Sequence, residues 1–598
     1  MLIFSFANYY QPKFVMKILI HAVLQVVLLF NFALIYGQAQ FENQAETLGA
    51  GIAYGNIQLG AGVSFFDYNN DGLDDITIPA SNSRNFTFLK NMGGSFQEEN
   101  LGIDSNGFQS RQAMWVDFDN DGDNDFFATS DQDWSRLYEN NGDGTFTDIT
   151  LAAGLPTVIY DTYGAAWGDF NNDRHLDVFY SIRDENQIIP NILYQNNGDG
   201  TFTNVTIAAG LETTGYLSFC ASFFDMDKDG DQDLYVANDK YDSPNLMYRN
   251  NGDGTFTNVS ASSGTGIEID AMSTTIGDYN NDGWLDIYVT NTEFTPPPPG
   301  VNGNVMFRNN ADGTFTNVAA STGTIFNSVG WGAVFLDGDN EGFTDLYVSG
   351  EFEVDPVYLP SAYYENQGDH TFVIPTGIGF ENDTRQSYGN AIGDIDNDGY
   401  PDIVVMNNND QNIFLWKNTS IQNHNWLKVK LEGTQGNRMG IGSFIEVGTT
   451  HGTQLQFTVC GEGYLGQNSA YEFFGLNDAT NVDFVRVTWP SGIVDYFEDL
   501  NVNQHITVIE GSGVLNADSA SFAVFSMYPN PASELVFLNF HLEEERQIVI
   551  LDVSGKVVIS EVIFGNTHQI DLSVLSGGVY ILEVRYNGNV HRKKLIVD

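Results

Sequence analysis

The chain has 598 residues, longer than a single hydrophobic core supports, so two to four domains are expected. Acidic residues outnumber basic ones 78 to 24, a formal charge of −54, which repels phosphate backbones and argues against nucleic acid as a partner. Two cysteines, Cys220 and Cys460, are too few for a disulfide-stapled scaffold and read as buried free thiols.

In chain order, residues 1–39 read as an export signal with a possible N-terminal extension, the start being Met1 or Met16. Met16-Lys17 opens a basic region, Ile18 to Tyr36 form an apolar run, and Gly37 and Ala39 offer cleavage points. His21, Gln25 and Asn31 interrupt the run, which favours a cleaved signal over a membrane anchor. The expectation is a mature protein without a transmembrane anchor.

Residues 40–422 are organised by a repeat. A nine-residue acidic motif occurs seven times, beginning at Asp67, Asp117, Asp169, Asp225, Asp278, Asp337 and Asp394, at intervals of 50 to 59 residues. These copies are called loops 1 to 7. Each is preceded by small and aromatic residues and followed by a β-like run such as DLYVAN or DIYVTN. Further along each repeat lies a turn phrase such as LYQNNGDGTFTNVT, whose Asn-Gly and Asp-Gly pairs supply the positive φ angles of a tight hairpin. About four short strands per repeat predict the blade of a β-propeller, and seven repeats predict seven blades, with a solenoid of the same units as the alternative. The seventh repeat ends at LWKN without its last strand, while Phe41 to Gly49 resembles Phe202 to Gly210. The N-terminal segment is therefore expected to supply that strand and shut the ring.

The spacing D-x-[DN]-x-[DN]-G-x-x-D matches the start of a calcium loop, with side chains at positions 1, 3, 5 and 9 turned inward and position 7 giving its carbonyl. The candidate ligands are Asp67, Asn69, Asp71 and Asp75; Asp117, Asp119, Asp121 and Asp125; Asp169, Asn171, Asp173 and Asp177; Asp225, Asp227, Asp229 and Asp233. They continue with Asp278, Asn280, Asp282 and Asp286; Asp337, Asp339, Glu341 and Asp345; and Asp394, Asp396, Asp398 and Asp402. An EF-hand would need Glu at position 12, where this chain has Ile78, Ala128, Tyr180, Val236, Val289, Val348 and Val405. Asp residues that only cap turns are the alternative, but carboxylates converging in one loop repel without a cation. Up to seven Ca2+ ions are expected, loop 3 departing from the pattern with Arg174 at position 6 and loop 6 with Glu341 at position 5.

These repeats resemble the FG-GAP/VCBS repeats of integrin α-subunit propellers and many bacterial surface proteins. The resemblance implies calcium in the acidic loops and ligand binding on another rim of the propeller. Residues 423–510 read as a β-rich module marked by HNWLKVKLEG, GNRMGIGSFIEV, GEGYLGQNS and VRVTWPSG. It resembles the ASPIC/UnbV domain of cartilage-acidic-protein-like extracellular proteins, and Asn437, Arg438, Gly440, Gly442, Gly463, Tyr464, Leu465, Trp489, Pro490 and Gly492 fall on that pattern. These read mainly as turn glycines and core aromatics, with Arg438 the candidate for ligand contact. Residues 511–524 form a linker, and 525–598 a small β-sandwich. The last segment resembles the C-terminal sorting domain of the bacterial type IX secretion system, through Tyr528, Pro529, Asn530, Pro531, Asp552, Gly555, Leu575, Gly578, Tyr580 and Lys594. That implies Bacteroidota, contact with the type IX machinery, and an extracellular or outer-surface location.

The expected fold is therefore all-β: a seven-bladed β-propeller, an ASPIC/UnbV module and a sorting domain. No G-x-S-x-G, H-E-x-x-H or phosphate-binding glycine loop stands in the sequence, which argues for a non-enzyme. The expected function is binding or adhesion to an extracellular glycan, matrix polymer or protein, with Trp134, Trp284 and Pro296 to Pro299 as rim candidates. The alternatives are a passive surface protein and an extracellular hydrolase or accessory subunit of a polysaccharide-degrading system.

Overall fold

The computed structural model describes residues 38–597 apart from 83, 241, 293–301, 352–360, 381–382, 422–423, 514–524, 529–531, 534, 553–555 and 587–588. The export signal up to residue 37, the Pro296 to Pro299 loop, most of the 511–524 linker, Pro529 to Pro531 and Gly555 lie outside the described residues. Phe41 to Gly513 form one compact unit apart from Phe497–Asp499, and the C-terminal residues from 525 onward belong to a second.

Each repeat folds into a four-stranded antiparallel sheet, as its alternation of apolar runs and turn residues dictates. Sheet 1 is Ser64–Phe66, Asp75–Ile78, Thr87–Asn91 and Phe96–Glu99. Sheets 2 to 6 span 113–148, 162–204, 218–258, 275–317 and 330–373. Sheet 7 takes Ser387–Gly393, Asp402–Asn407 and Phe414–Asn418 from the last repeat and its fourth strand, Phe41–Asn43, from the N-terminus. Phe41 pairs with Asn418 and Asn43 with Trp416, as the missing last strand predicts.

The inner two strands of each sheet are covered on both faces and so carry unbroken runs, such as the fully buried SFCASFF of Ser218–Phe224. The outermost strands keep one anchor, as in Phe256–Asn258 where only Phe256 is buried. Apolar clusters are shared between successive sheets: Phe66 and Phe88 of sheet 1 with Trp115 and Phe126 of sheet 2, Tyr347 of sheet 6 with Ile403 and Trp416 of sheet 7. Sheet 7 also packs Val404 and Leu415 against Phe65 and Ile76 of sheet 1, which closes the row into a ring and excludes the open solenoid.

The following module holds two sheets. One joins Tyr471–Asn477, Asn425–Glu432 and Gln504–Ile509, the last two parallel. The other joins Gly452–Phe457, Phe444–Thr449, Val482–Thr488 and Val494–Leu500. Between Phe457 and Tyr471 the chain leaves both sheets and enters the middle of the ring. There it bonds to the innermost strands: Trp167 N–H donates to Cys460 O at 2.9 Å, Gly463 N–H to Thr274 O at 2.8 Å and Phe65 N–H to Gln467 O at 2.9 Å. The Gln467 amide spans Trp115, accepting from its N–H at 2.9 Å and donating to its C=O at 2.7 Å. Ile392 N–H donates to Asn468 Oδ1 at 2.9 Å. Tyr464 and Leu465 are buried among Tyr163, Phe219, Met272, Trp331 and Tyr388, drawn from around the ring. Gly461 is required because a Cβ would stand 2.5 Å from Ala165 O. This segment plugs the centre of the ring. Cys460 on it and Cys220 are both buried and free, and burial pushes each thiol up to about 12.

The C-terminal unit, taken alone, is built on two long strands, Leu535–Asp552 and Val557–Asp571. Phe525–Tyr528 pairs with the first half of Leu535–Asp552, and Gly578–Tyr586 with its second half, Asn589–Val597 adding the edge. The long hairpin runs continuously through the sheet, with register shifts between Asn539 and Glu544 and between Ile550 and Leu551. Its core is Val536, Leu538, Ile548, Ile550, Ile570, Leu582 and Leu595. Among the described residues no helix is long and apolar enough to cross a membrane.

Candidate metal centres

Loop 2 shows how the acidic motif folds. Asp117 accepts from Asp121 N–H at 3.1 Å and from Gly122 N–H at 2.9 Å, and Asp121 accepts from Asp123 N–H at 2.9 Å. Asp125 accepts from Phe118 N–H at 3.2 Å and from Asn140 N–H at 2.8 Å. The turn needs a left-handed residue at position 4, and Asn70, Asn120, Asn172, Lys228, Asn281, Asn340 and Asn397 all have φ between 53° and 63°. Position 6 is also left-handed, including Arg174 at φ 83°, whose N–H still donates to Asp169 at 2.7 Å. Loop 3 therefore keeps the common geometry at the expense of backbone strain. Arg174→Gly is expected to stabilise the protein by about 0.5–1 kcal/mol, the relief of a left-handed non-glycine less the extra chain entropy. Thermal unfolding measures this, and an unchanged or lower midpoint would contradict it.

Carboxylate oxygens converge within 4.8 Å of one another in four loops: Asp117, Asp119 and Asp125; Asp225, Asp227 and Asp229; Asp337, Asp339 and Asp345; Asp394, Asp396 and Asp402. These clusters could hold a metal ion. Loops 1, 3 and 5 carry Asn at position 3, and its amide satisfies a neighbour: Asn69 donates to Asp75 at 2.8 Å, Asn171 to Asp173 at 2.8 Å and Asn280 to Asp282 at 3.0 Å.

Burial and mutual repulsion lift the carboxylates out of the usual range. Desolvation first, then neighbouring Asp charges, raise Asp75 to about 8, Asp117 to about 7, Asp125 to about 9 and Asp278 to about 7. Asp233, Asp286, Asp345 and Asp402 are pushed well above their ordinary value by burial. Glu341 rises to about 8 through burial and the charges of Asp339 and Glu365. Ionised together at neutral pH, such groups need a cation between them. The donor set fits one. Asp339 is 1% exposed, and its Oδ2 is buried without a hydrogen-bond partner, as are Asp227 Oδ1 and Glu365 Oε2.

Two sets of asparagines that the ligand spacing does not reveal tie the loops together. The position-4 side chain donates to the position-6 carbonyl of the next loop: Asn120 to Arg174 O at 3.0 Å, Asn281 to Gly342 O at 3.0 Å, Asn340 to Gly399 O at 3.1 Å, and Asn397 to Gly72 O at 2.9 Å, from loop 7 to loop 1. Lys228 replaces Asn in loop 4 and lies 5.2 Å over the Trp284 ring instead. The second set ends each third strand. Asn250 donates its backbone N–H to Asp233 at 2.7 Å and its amide to Phe170 O of the preceding loop at 2.7 Å. The recurrent NND and YxNN phrases were the available signals for both.

The C-terminal neighbour module rests on this acidic face. Strand Asn425–Glu432 alternates Lys428 and Lys430 toward the loops. Lys428 Nζ lies 3.0 Å from Asp394 Oδ2 and 2.8 Å from Asn397 Oδ1, both partners of the ion pair being buried. Lys430 Nζ is 3.8 Å from Asp67 Oδ2, and Arg438 N–H donates to Asn120 Oδ1 at 2.7 Å. The guanidinium of Arg438 pairs with Glu432 at 2.8 Å and lines a cavity of about 460 Å3 with Lys430, Tyr471 and Glu472. Of the rim aromatics, Trp134 and Trp284 are half-buried beneath Arg136 and Lys228 rather than free.

Family comparisons agree with this anatomy. FG-GAP-like repeats match at 117–180, 180–236 and 225–289, the ASPIC and UnbV family matches 433–514, and the secretion system C-terminal sorting domain matches 526–598. The chain is an FG-GAP-repeat protein carrying an ASPIC/UnbV domain, and its sorting domain directs it to the cell surface or the extracellular space. It is homologous to cartilage acidic protein 1, at 25% identity over 198 residues in Xenopus tropicalis, 27% over 196 in Mus musculus and 25% over 209 in Homo sapiens. These matches cover 31–34% of this chain and about 30% of each relative. Among solved structures, the BSP domain of a biofilm associated protein aligns at a TM-score of 0.12 and 11% identity over 91% of this chain and 97% of that one, too low to bear on the fold.

Proposed function

We propose that residues 41–418 are a calcium-loaded seven-bladed β-propeller that binds an extracellular glycan or protein on the face opposite its acidic loops. The observation that carries the calcium reading is the buried, unpartnered Asp339 Oδ2 among Asp337, Glu341 and Asp345. Connectivity supports this choice of face. Acidic loops join the first and second strands of every sheet, and the neighbouring module covers that side. The connections at the other strand ends carry Val158, Ile159 and Ile188, 52%, 57% and 73% exposed. Exposed apolar side chains grouped at one end of a scaffold suit recognition.

Binding of the full chain to a glycan array and to immobilised matrix proteins, with calcium and with EGTA, tests the reading. Ile188→Glu with Val158→Glu is expected to weaken binding about tenfold while leaving the unfolding midpoint in place. Binding that ignores both the double variant and EGTA would sink it. Turnover of a polysaccharide in the same assay would favour the hydrolase alternative.

A further inference from the structure

The third strand of every sheet places one residue against its acidic loop, the residue before the asparagine whose N–H bonds the position-9 Asp. In loops 1 to 7 it is Lys90, Glu139, Gln195, Arg249, Arg308, Glu365 and Lys417. Because the backbone bond is the same in all seven sheets, these side chains hold equivalent posts, yet their charges differ in sign. Lys90 Nζ sits 3.0 Å from Asp71, and Lys417 pairs with Asp396. Gln195 donates to Asp173 at 3.4 Å. Arg249 acts on Asp227, easing the repulsion from Asp229. Glu139 and Glu365 do the reverse, adding negative charge to Asp119 and to Glu341. Glu365 Oε2 is buried and has no hydrogen-bond partner, beside the equally unpartnered Asp339 Oδ2.

We infer that this strand position grades the cation affinity of the loops, with Glu365 a fifth carboxylate ligand in loop 6 and Glu139 its counterpart in loop 2. Loops 2 and 6 then hold five carboxylates each and no basic neighbour at this post, whereas in loops 1, 4, 5 and 7 a lysine or arginine competes with the ion. Affinity of oxygen sites for calcium rises with carboxylate count, and a charge reversal a few ångströms from the ion changes it at least about tenfold. The inference rests on the calcium reading above and assigns to each loop a place in its order of filling.

Calcium titration of the full chain by isothermal calorimetry, on wild type, Glu365→Gln, Glu365→Lys and Arg249→Glu, tests it. Wild type is expected to show two sites at least about tenfold tighter than the rest. Glu365→Gln should weaken one of them, Glu365→Lys should abolish it, and Arg249→Glu, which gives loop 4 a fifth carboxylate, should create a third, a gain that misfolding cannot produce. Calcium binding by wild type with isotherms unchanged in all three variants overturns the inference and leaves the calcium reading standing. No calcium binding by wild type up to millimolar concentrations overturns the calcium reading itself.

Discussion

Chelating calcium is expected to lower the stability of the residue 41–513 unit by several kcal/mol and to make that stability fall as pH rises. A loop with calcium tenfold above its Kd gains about 1.4 kcal/mol, so loading the four convergent carboxylate clusters amounts to about 6 kcal/mol. A drop on the order of 10 °C in the unfolding midpoint follows. In EGTA the folded carboxylates titrate above their unfolded values: Asp117 and Asp169 at about 7, Asp75 and Glu341 at about 8, Asp125 at about 9. The folded state then holds protons that the unfolded chain has released near pH 4, so its stability falls as pH rises from about 5 to about 9. With calcium bound the carboxylates stay ionised across that window and the dependence flattens. Denaturation at pH 6 and pH 9, with and without EGTA, measures both effects. Identical midpoints in all four conditions would reduce the loops to capped turns.

Tyr464→Ala should be the most damaging single substitution outside the repeats. Its side chain is fully buried in the middle of the ring, with ring centroids 5.2 Å from Trp331 and 5.8 Å from Phe219, and its hydroxyl donates to Leu59 O. Removing a buried aromatic of this size costs about 3–5 kcal/mol. Since Tyr464 belongs to the module and its neighbours to sheets 4 and 6, the loss is expected to shift one cooperative transition for residues 41–513 rather than split it. Two resolved transitions in calorimetry, with only the smaller one moved, would show that ring and module unfold independently.

Much of this was legible in the sequence. The seven acidic copies, the GDGTF turns and the orphan strand at Phe41 predicted repeated four-stranded sheets and the pairing with Asn418. The calcium spacing pointed to the carboxylates that converge in loops 2, 4, 6 and 7, three of the four candidates in each, because their positions follow from a local turn that each copy specifies within nine residues. The plug was not legible: Gly461, Gly463 and Gly466 look like turn glycines, and only the neighbouring backbone, such as Ala165 O, explains them. The nearness of Glu365 to Asp339 and Glu341 was not legible for a similar reason, since it stands 24 residues beyond Glu341 in a strand read only as structure. Lys428 and Lys430 read as ordinary strand alternation, and their partners Asp394 and Asp67 lie in distant repeats.

The joint between Phe41–Asn43 and the last repeat has a kinetic consequence. Gln40 N–H and its partner Ser420 Oγ are 380 residues apart in sequence. The ring cannot shut until the seventh repeat has been synthesised, and the central segment cannot seat until the residues near Tyr464 follow. Contacts of such long sequence separation make folding slow, and until they form, the apolar edges of sheets 1 and 7 stay open. The growing chain must therefore be shielded through nearly its whole synthesis, and its principal hazard is a neighbouring copy lending the first strand in trans.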